Sequence, residues 1–365
     1  MRNILKNNKL IPIIYLAIFL IIQGCKDSGV DVIPVKDPRT YTWTADTLAY
    51  PRSSQTLMDD IWGSSHNDVY VVGHNSRAGK GVMWHYDGNK WTNSHLLTSE
   101  GGLISGAIEL SAIYGFSGTD IYAAGERIIG YNPNPPPNFI DSSLILHYDG
   151  SSWKEEDIVS GNILTNIQGS STNNVWAAGN FNTLYHYDGS RWTRDSVVIN
   201  VPVNQAFHIL SVSAGNSGTY LTGHTSFVDL SDTKAYLLKR ENSSWVKIDS
   251  SGIYTYKLYR NSSGELYYAG PRGIFKNVGN QWTNVFTTNQ YIADMSASSS
   301  DNIFAAGQGG QNKIYHYNGT DWKEIEELSL PDADYWAVWT DGTEAFVVGH
   351  INDGVAQKTI IWHGK

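Results

Sequence analysis

Apolar and polar residues alternate in short bursts along most of this chain, and the bursts recur in sets. In the phrase Ile61-Trp62-Gly63-Ser64-Ser65-His66-Asn67-Asp68-Val69-Tyr70-Val71-Val72-Gly73, one alternating segment joins a second through a polar turn, and related phrases end at Gly125, Gly179, Gly223, Gly270, Gly307 and Gly349. Period-two alternation interrupted by Ser, Asn, Asp and Gly is the pattern of half-buried strands linked by tight turns. A second phrase, His85-Tyr86-Asp87-Gly88-Asn89-Lys90-Trp91, has counterparts ending at Trp153, Trp192, Trp245, Trp282 and Trp322. Each copy therefore predicts four strands, A to D. In the first copy A is 60–63, B is 69–73, C is 82–86, and D starts at Trp91.

Self-similarity at about 45 residues, with four short strands in each unit, is the signature of propeller blades. The seventh copy reaches Trp362-His363-Gly364 and ends at Lys365, one strand short. Tyr41-Thr42-Trp43-Thr44 has the character of a D strand and stands in front of the first copy. The expectation is one all-β, seven-bladed propeller over residues 41–365, each blade with four antiparallel strands and the last closed by the N-terminal strand around Trp43. Such closure removes the unpaired edges inside the ring.

Strand direction sorts the loops by face. A-to-B and C-to-D turns share one side, where spacing is nearly constant: Ile61 to Gly73, Ile113 to Gly125, Ile167 to Gly179, Leu258 to Gly270 and Met295 to Gly307 are equal intervals. B-to-C and D-to-A loops share the other side and hold the length variation, including an insert over 126–143 with Asn132-Pro133-Asn134-Pro135-Pro136-Pro137. Variable loops on a rigid scaffold are where binding is usually built. A stiff proline-rich segment suits either a cover over the central opening or an edge offered to a protein partner.

Composition adds an address. Arg2, Lys6 and Lys9 precede an apolar run over 10–22, too short for the roughly 20 residues of a membrane-spanning helix, and then come Gln23, Gly24 and the single cysteine, Cys25. This is the layout of an export signal over 1–24. Ile22-Gln23-Gly24-Cys25 resembles the lipobox of bacterial lipoproteins, departing from it at Gln23. That resemblance implies lipidation at Cys25, a flexible tether over 25–40 and residence on a bacterial outer membrane, periplasmic or surface-exposed. Lys26-Asp27 weakly resembles a surface-export signal. Extended at about 3.3 Å per residue, the tether reaches roughly 50 Å. Net charge is −9, and the first 24 residues carry cations only, so the remainder is more acidic still and unsuited to nucleic acid.

The Asp-Gly-x-x-Trp turns resemble the Asp-box of sialidase-like propellers, and the repeat as a whole resembles Asp-box and kelch-like propellers. No residue separates Asp87 from Gly88, and His85 stands where the box has Ser or Thr. A sialidase would need three convergent arginines, and none are evident. Galactose-oxidase-type chemistry would need a cysteine beyond the one expected to carry lipid. No phosphate loop, zinc helix or nucleophile elbow appears, so neither cofactor nor metal is expected. His85, His147, His186, His316 and His363 recur at one blade position and predict packing, as do the D-strand tryptophans.

Residues that break the repeat on the variable side are the binding candidates: Asp59, Asp60, His74, Glu126, Asp294, Trp336 and His350. Ring closure makes blades six, seven and one neighbours, so Asp294, Trp336, His350, His74 and Asp60 are expected in one sector. Carboxylates, imidazoles and an aromatic ring suit a carbohydrate or an envelope protein, bound by a monomer without catalysis. The alternative is a glycan-active hydrolase or lyase drawing acid and base from Asp59, Asp60, Glu126 and Asp294.

Overall fold

The computed structural model describes residues 36–365, apart from 78, 97–99, 101, 103, 105, 132–138, 160, 202, 227–233, 250–256, 271–272, 280, 309–311 and 330–332. Cys25 and the prolines of the blade-two insert lie outside the described residues. Seven sheets of four antiparallel strands follow one another in chain order, and two 3-10 turns, Pro38–Thr40 and Glu326–Leu328, are the helical segments among the described residues.

The seventh sheet takes Ala333–Thr340, Ala345–Asn352 and Gln357–Gly364 from the end of the chain and Trp43–Leu48 from its start. Trp43 pairs with Gly364 and Leu48 with Thr359, so the N-terminal strand closes the last blade as expected. Trp43 is buried, with its ring 6.5 Å from Phe304 of blade six. A Cβ on Gly364 would stand 2.7 Å from the Trp43 ring, so glycine is what lets the indole lie flat over the closing strand.

The repeated aromatics join neighbouring blades. Trp91 meets Phe346 of blade seven at 6.2 Å, Trp192 meets Tyr122 of blade two at 6.1 Å, and Trp245 meets Trp176 of blade three at 5.8 Å. Trp282 meets Tyr220 of blade four at 6.3 Å, and Trp322 meets Phe286 of blade five at 4.7 Å. Each D strand thus packs its tryptophan on the preceding blade. Such aromatic pairs contribute about 0.5–1.5 kcal/mol each beyond area burial.

The recurrent histidines pack within blades. His85 stacks on Tyr70 at 4.2 Å with Nε2 2.7 Å from Asp68, His147 stacks on Tyr122 at 4.1 Å and reaches Asp120, and His186 stacks on Trp176 at 4.1 Å and reaches Asn174. His316 and His363 repeat the arrangement with Phe304 and Asn302, and with Phe346 and Glu344. In blades four and five a lysine takes the same place, Lys239 over Tyr220 and Lys276 over Tyr267. The B-strand polar residue holds the imidazole edge while the aromatic holds its face, which locks strand C onto strand B.

The A-to-B and C-to-D turns also brace each other. Gly88, Gly150, Gly189 and Gly319 all have φ near +90° and lie against Asn67, Thr119, Asn173 and Asp301, one pair in each of four blades. A side chain there would strain the backbone and collide with the facing turn, which explains the constant spacing on this side.

Candidate functional site

The variable side takes its shape from a bulge repeated in the innermost strands. In blade one the pairing jumps from Met58–Gly73 to Asp60–Val72, leaving Asp59 as an extra residue, and in blade seven it jumps from Tyr335–Gly349 to Ala337–Val348, leaving Trp336. A bulge turns its extra side chain out of the regular alternation. It also brings the strands so close that a Cβ on Gly73 would stand 2.0 Å from the Leu57 carbonyl oxygen.

One group of candidates meets at the junction of blades seven and one. The Asp59 carboxylate lies 3.5 Å from His74 Nδ1 and 3.6 Å from His350 Nε2. His350 Nε2 also donates to the Met58 carbonyl at 2.9 Å, and its ring is 5.5 Å from that of Trp336. Trp336 is 41% exposed, an unusual state for an indole. Donation from the His74 imidazole to the Asp59 carboxylate raises the His74 pKa against the opposing effect of burial. Burial lowers that of His350, although Asp59 pulls the other way. The two imidazoles beside one carboxylate are therefore pushed in opposite directions.

The acidic group continues into blade two. Glu126 pairs directly across strands with Glu109, and the protonated Glu126 carboxyl donates a hydrogen bond to Asp141. Burial first, then the charges of Asp141 and Glu109, push Glu126 up to about 7. Burial also raises Glu109, which feels His74, Asp59 and Asp141. The nearby Arg127 is held in a two-pronged pair with Glu155, at 2.6 and 2.8 Å.

Asp60 and Asp294 lie elsewhere. Both line the central channel, where Lys257 Nζ stands 2.8 Å from Asp294 and 3.4 Å from Asp60. Each also accepts a backbone N–H of the following blade, Asp60 from Ile113 at 2.9 Å and Asp294 from Val338 at 3.0 Å. Asn166 and Ser211 make the same tie to Val212 and Leu258. Burial raises the Asp60 pKa despite Lys257. Burial would lower Lys257, but Asp294 and Asp60 outweigh it and raise its pKa. The bridge spans a cavity of about 220 Å³, smaller than the roughly 300–1,000 Å³ of small-molecule sites.

Two further features of this side escape a linear reading. A cavity of about 300 Å³ opens among the loops of blade one, bordered by Tyr50, Val82, Asn93, His95, Leu96 and Ile104. Phe181 and Asn182 are consecutive residues at φ +52° and +56° in a tight turn after Asn180, and Phe181 is 56% exposed. Its ring packs on His208, which stacks on His224. The flanking asparagines are the available signal for such a turn. Among the described residues, no group of three His, Cys, Asp or Glu side chains is placed to hold a metal ion.

No family model matches the sequence, and no curated protein matches it. Solved structures do resemble the fold. The structure described as YCF48 bound to D1 peptide aligns with a TM-score of 0.57 at 14% identity, over 90% of this chain and 97% of that one. The β-propeller domain of Myceliophteria thermophila Cps50 (Swd1) gives 0.56 at 11% identity, over 87% and 99%. The WD40 β-propeller domain of Doa1 gives 0.55 at 13%, over 89% and 96%. At these identities the resemblance establishes the class of fold, a seven-bladed β-propeller of WD40-like architecture.

Proposed function

We propose that this chain is a lipid-anchored envelope protein that binds a partner protein, without chemistry, on the variable-loop side where blades seven, one and two meet. The observation that carries the reading is the continuous sector formed by Trp336, His350, Asp59, His74, Glu109 and Glu126, an exposed indole beside imidazoles and carboxylates. Tryptophan is among the residue types enriched at protein-binding hot spots. The peptide-bound YCF48 structure shows that a propeller of similar shape takes such a ligand. A partner protein suits the acidic cluster better than a neutral carbohydrate does. The lipid is assigned to Cys25 and the location to the outer membrane, with no cofactor involved.

A photo-crosslinking residue at position 336 should trap the partner in intact cells, whereas one at position 89, on the constant-turn side, should not. Equal trapping at both positions overturns the reading. The anchor is tested separately: Cys25→Ala should abolish incorporation of labelled palmitate and release the chain from membranes.

One observation favours a second reading, a glycan hydrolase with Glu126 as general acid. Burial raises that carboxyl into the range suited to proton donation at neutral pH, and Glu109 is its immediate neighbour. Turnover of a polysaccharide panel, abolished by Glu126→Gln, would support it. No turnover by the unsubstituted protein would exclude it for those polysaccharides.

A further inference from the structure

We propose that the blade-two end of this sector is a receptor for one basic side chain of the partner, a lysine or arginine whose cation lies against Glu126, Glu109 and Asp141. The inference rests on the partner-binding reading and names the chemistry of what is bound.

Acceptors outnumber donors around Glu126. Glu126 is 9% exposed, and its Oε2 is buried without a hydrogen-bond partner among the described residues. The same carboxyl is approached by Asp141 and is the direct cross-strand neighbour of Glu109. Ionised carboxylates are acceptors only, so three of them side by side call for a proton or an external cation. The neighbouring cations among the described residues already have carboxylate partners. Arg127 is held by both oxygens of Glu155, and His74 is drawn to Asp59. A buried acceptor left unmatched costs about 1–3 kcal/mol, more when it is charged, and an incoming ammonium or guanidinium removes that cost.

The type of cation follows from the surroundings. No metal-binding group of three side chains is present among the described residues. An organic cation on a long stem needs no closed coordination shell, and its methylenes can lie along neighbouring apolar surface. Trp336 stands at the other end of the same sector, beyond His350, Asp59 and His74, and is placed to take an apolar side chain of the same segment.

Proton linkage gives the site a signature. Glu126, held near 7, must ionise to pair with the cation, and His74, whose pKa is raised, loses its competing charge as pH rises. Glu109, also raised, ionises in the same direction. Asp59, Asp141 and the Arg127–Glu155 pair complete the charged groups around the site. Ionisation of Glu126 alone rises from about one-tenth to about nine-tenths between pH 6 and pH 8, so affinity should increase roughly tenfold across that interval.

The test uses the full-length chain in detergent and end-blocked Gly-Gly-Lys-Gly-Gly, with its arginine and norleucine counterparts, titrated by calorimetry or NMR. The lysine and arginine peptides should bind saturably and the norleucine peptide should not. Binding should tighten about tenfold from pH 6 to pH 8. Glu126→Gln should weaken it at least tenfold without lowering the melting temperature, and Glu126→Asp should retain part of it. The proposal is overturned if the norleucine peptide binds as well as the lysine peptide, if neither basic peptide binds, if calcium ions bind and the peptides do not, or if Glu126→Gln binds like the unsubstituted protein. Selective crosslinking at position 336 without basic-peptide binding would sink this inference alone. Loss of that selectivity would sink the partner reading, whatever the peptides do.

Discussion

Replacing Lys257 with methionine removes the cation that bridges Asp60 and Asp294 while keeping most of the side-chain volume. Breaking a buried ion pair from one side costs about 3–5 kcal/mol, because the remaining charge is stranded. Lys257 retains 29% of its side-chain surface toward the channel, against 5% for Asp294, so solvent offsets part of that and about 2–4 kcal/mol is expected. At roughly 2–3 °C per kcal/mol for a chain of this size, the melting temperature should fall by about 5–10 °C at pH 7.5. Acid should narrow the gap. The stranded carboxylates can take up protons, and burial already holds Asp60 above the usual carboxylate range. Adding Asp60→Asn and Asp294→Asn should restore most of the loss, because Asn166 already accepts the equivalent backbone N–H in blade three. Thermal melts followed by circular dichroism at pH 7.5 and 4.5 compare the parent with both variants. A Lys257→Met protein that melts with the parent at pH 7.5, or a triple variant weaker than the single one, would refute the reasoning.

Three other outcomes follow from the same structure. Trp43→Ala should cost about 3–5 kcal/mol and lower the urea midpoint of the whole ring; loss confined to the first strand by hydrogen exchange would contradict closure as the source. Glu126 has a folded-state pKa raised to about 7, so the native state holds a proton that the unfolded chain releases above about 4.5. Stability is therefore lost as pH climbs from about 4.5 through 7, and Glu126→Gln should recover about 1–2 kcal/mol at pH 8 after allowance for solvent, read as a higher melting temperature there and little change at pH 4. Burial lowers His316 to about 4, so stability falls as pH drops from about 6.5 toward 4. His316→Gln should flatten that limb by about 2 kcal/mol in acid melts, and an unaltered limb would show that another group controls it.

The ring was legible in the sequence because its joints are chemically distinctive. A glycine that admits a bulge, an aspartate-glycine turn and a tryptophan resting on the previous blade each leave a residue type that few substitutes can replace. The site was less so, for a reason visible at Asp59 and Asp60. Adjacency in sequence assigns both to the variable side, yet the bulge between them sends one to the loop surface and the other into the channel. A one-residue irregularity changes which side every adjacent group faces. Glu109 carries no signal in the repeat, and the insert after Glu126 reads from its prolines as a stiff loop. Much of it instead prolongs a hairpin, with Asp120–Tyr131 paired to Phe139–Tyr148, and the Ala107–Ser117 strand lies alongside so that Glu109 faces Glu126. The lysines of blades four and five show the reverse case, a repeat position that keeps its place while changing its chemistry.

The pairing of Trp43–Leu48 with Gln357–Gly364 also sets a clock. The first strand leaves the ribosome about 300 residues before its partner, a wait of roughly 15–60 s at about 5–20 residues per second. During that time its backbone donors and acceptors and the indole of Trp43 have no native place to go. The last blade cannot be completed until Gln357–Gly364 has been made, so a chain cut short before that strand carries an open seam and a strand free to pair with a stranger.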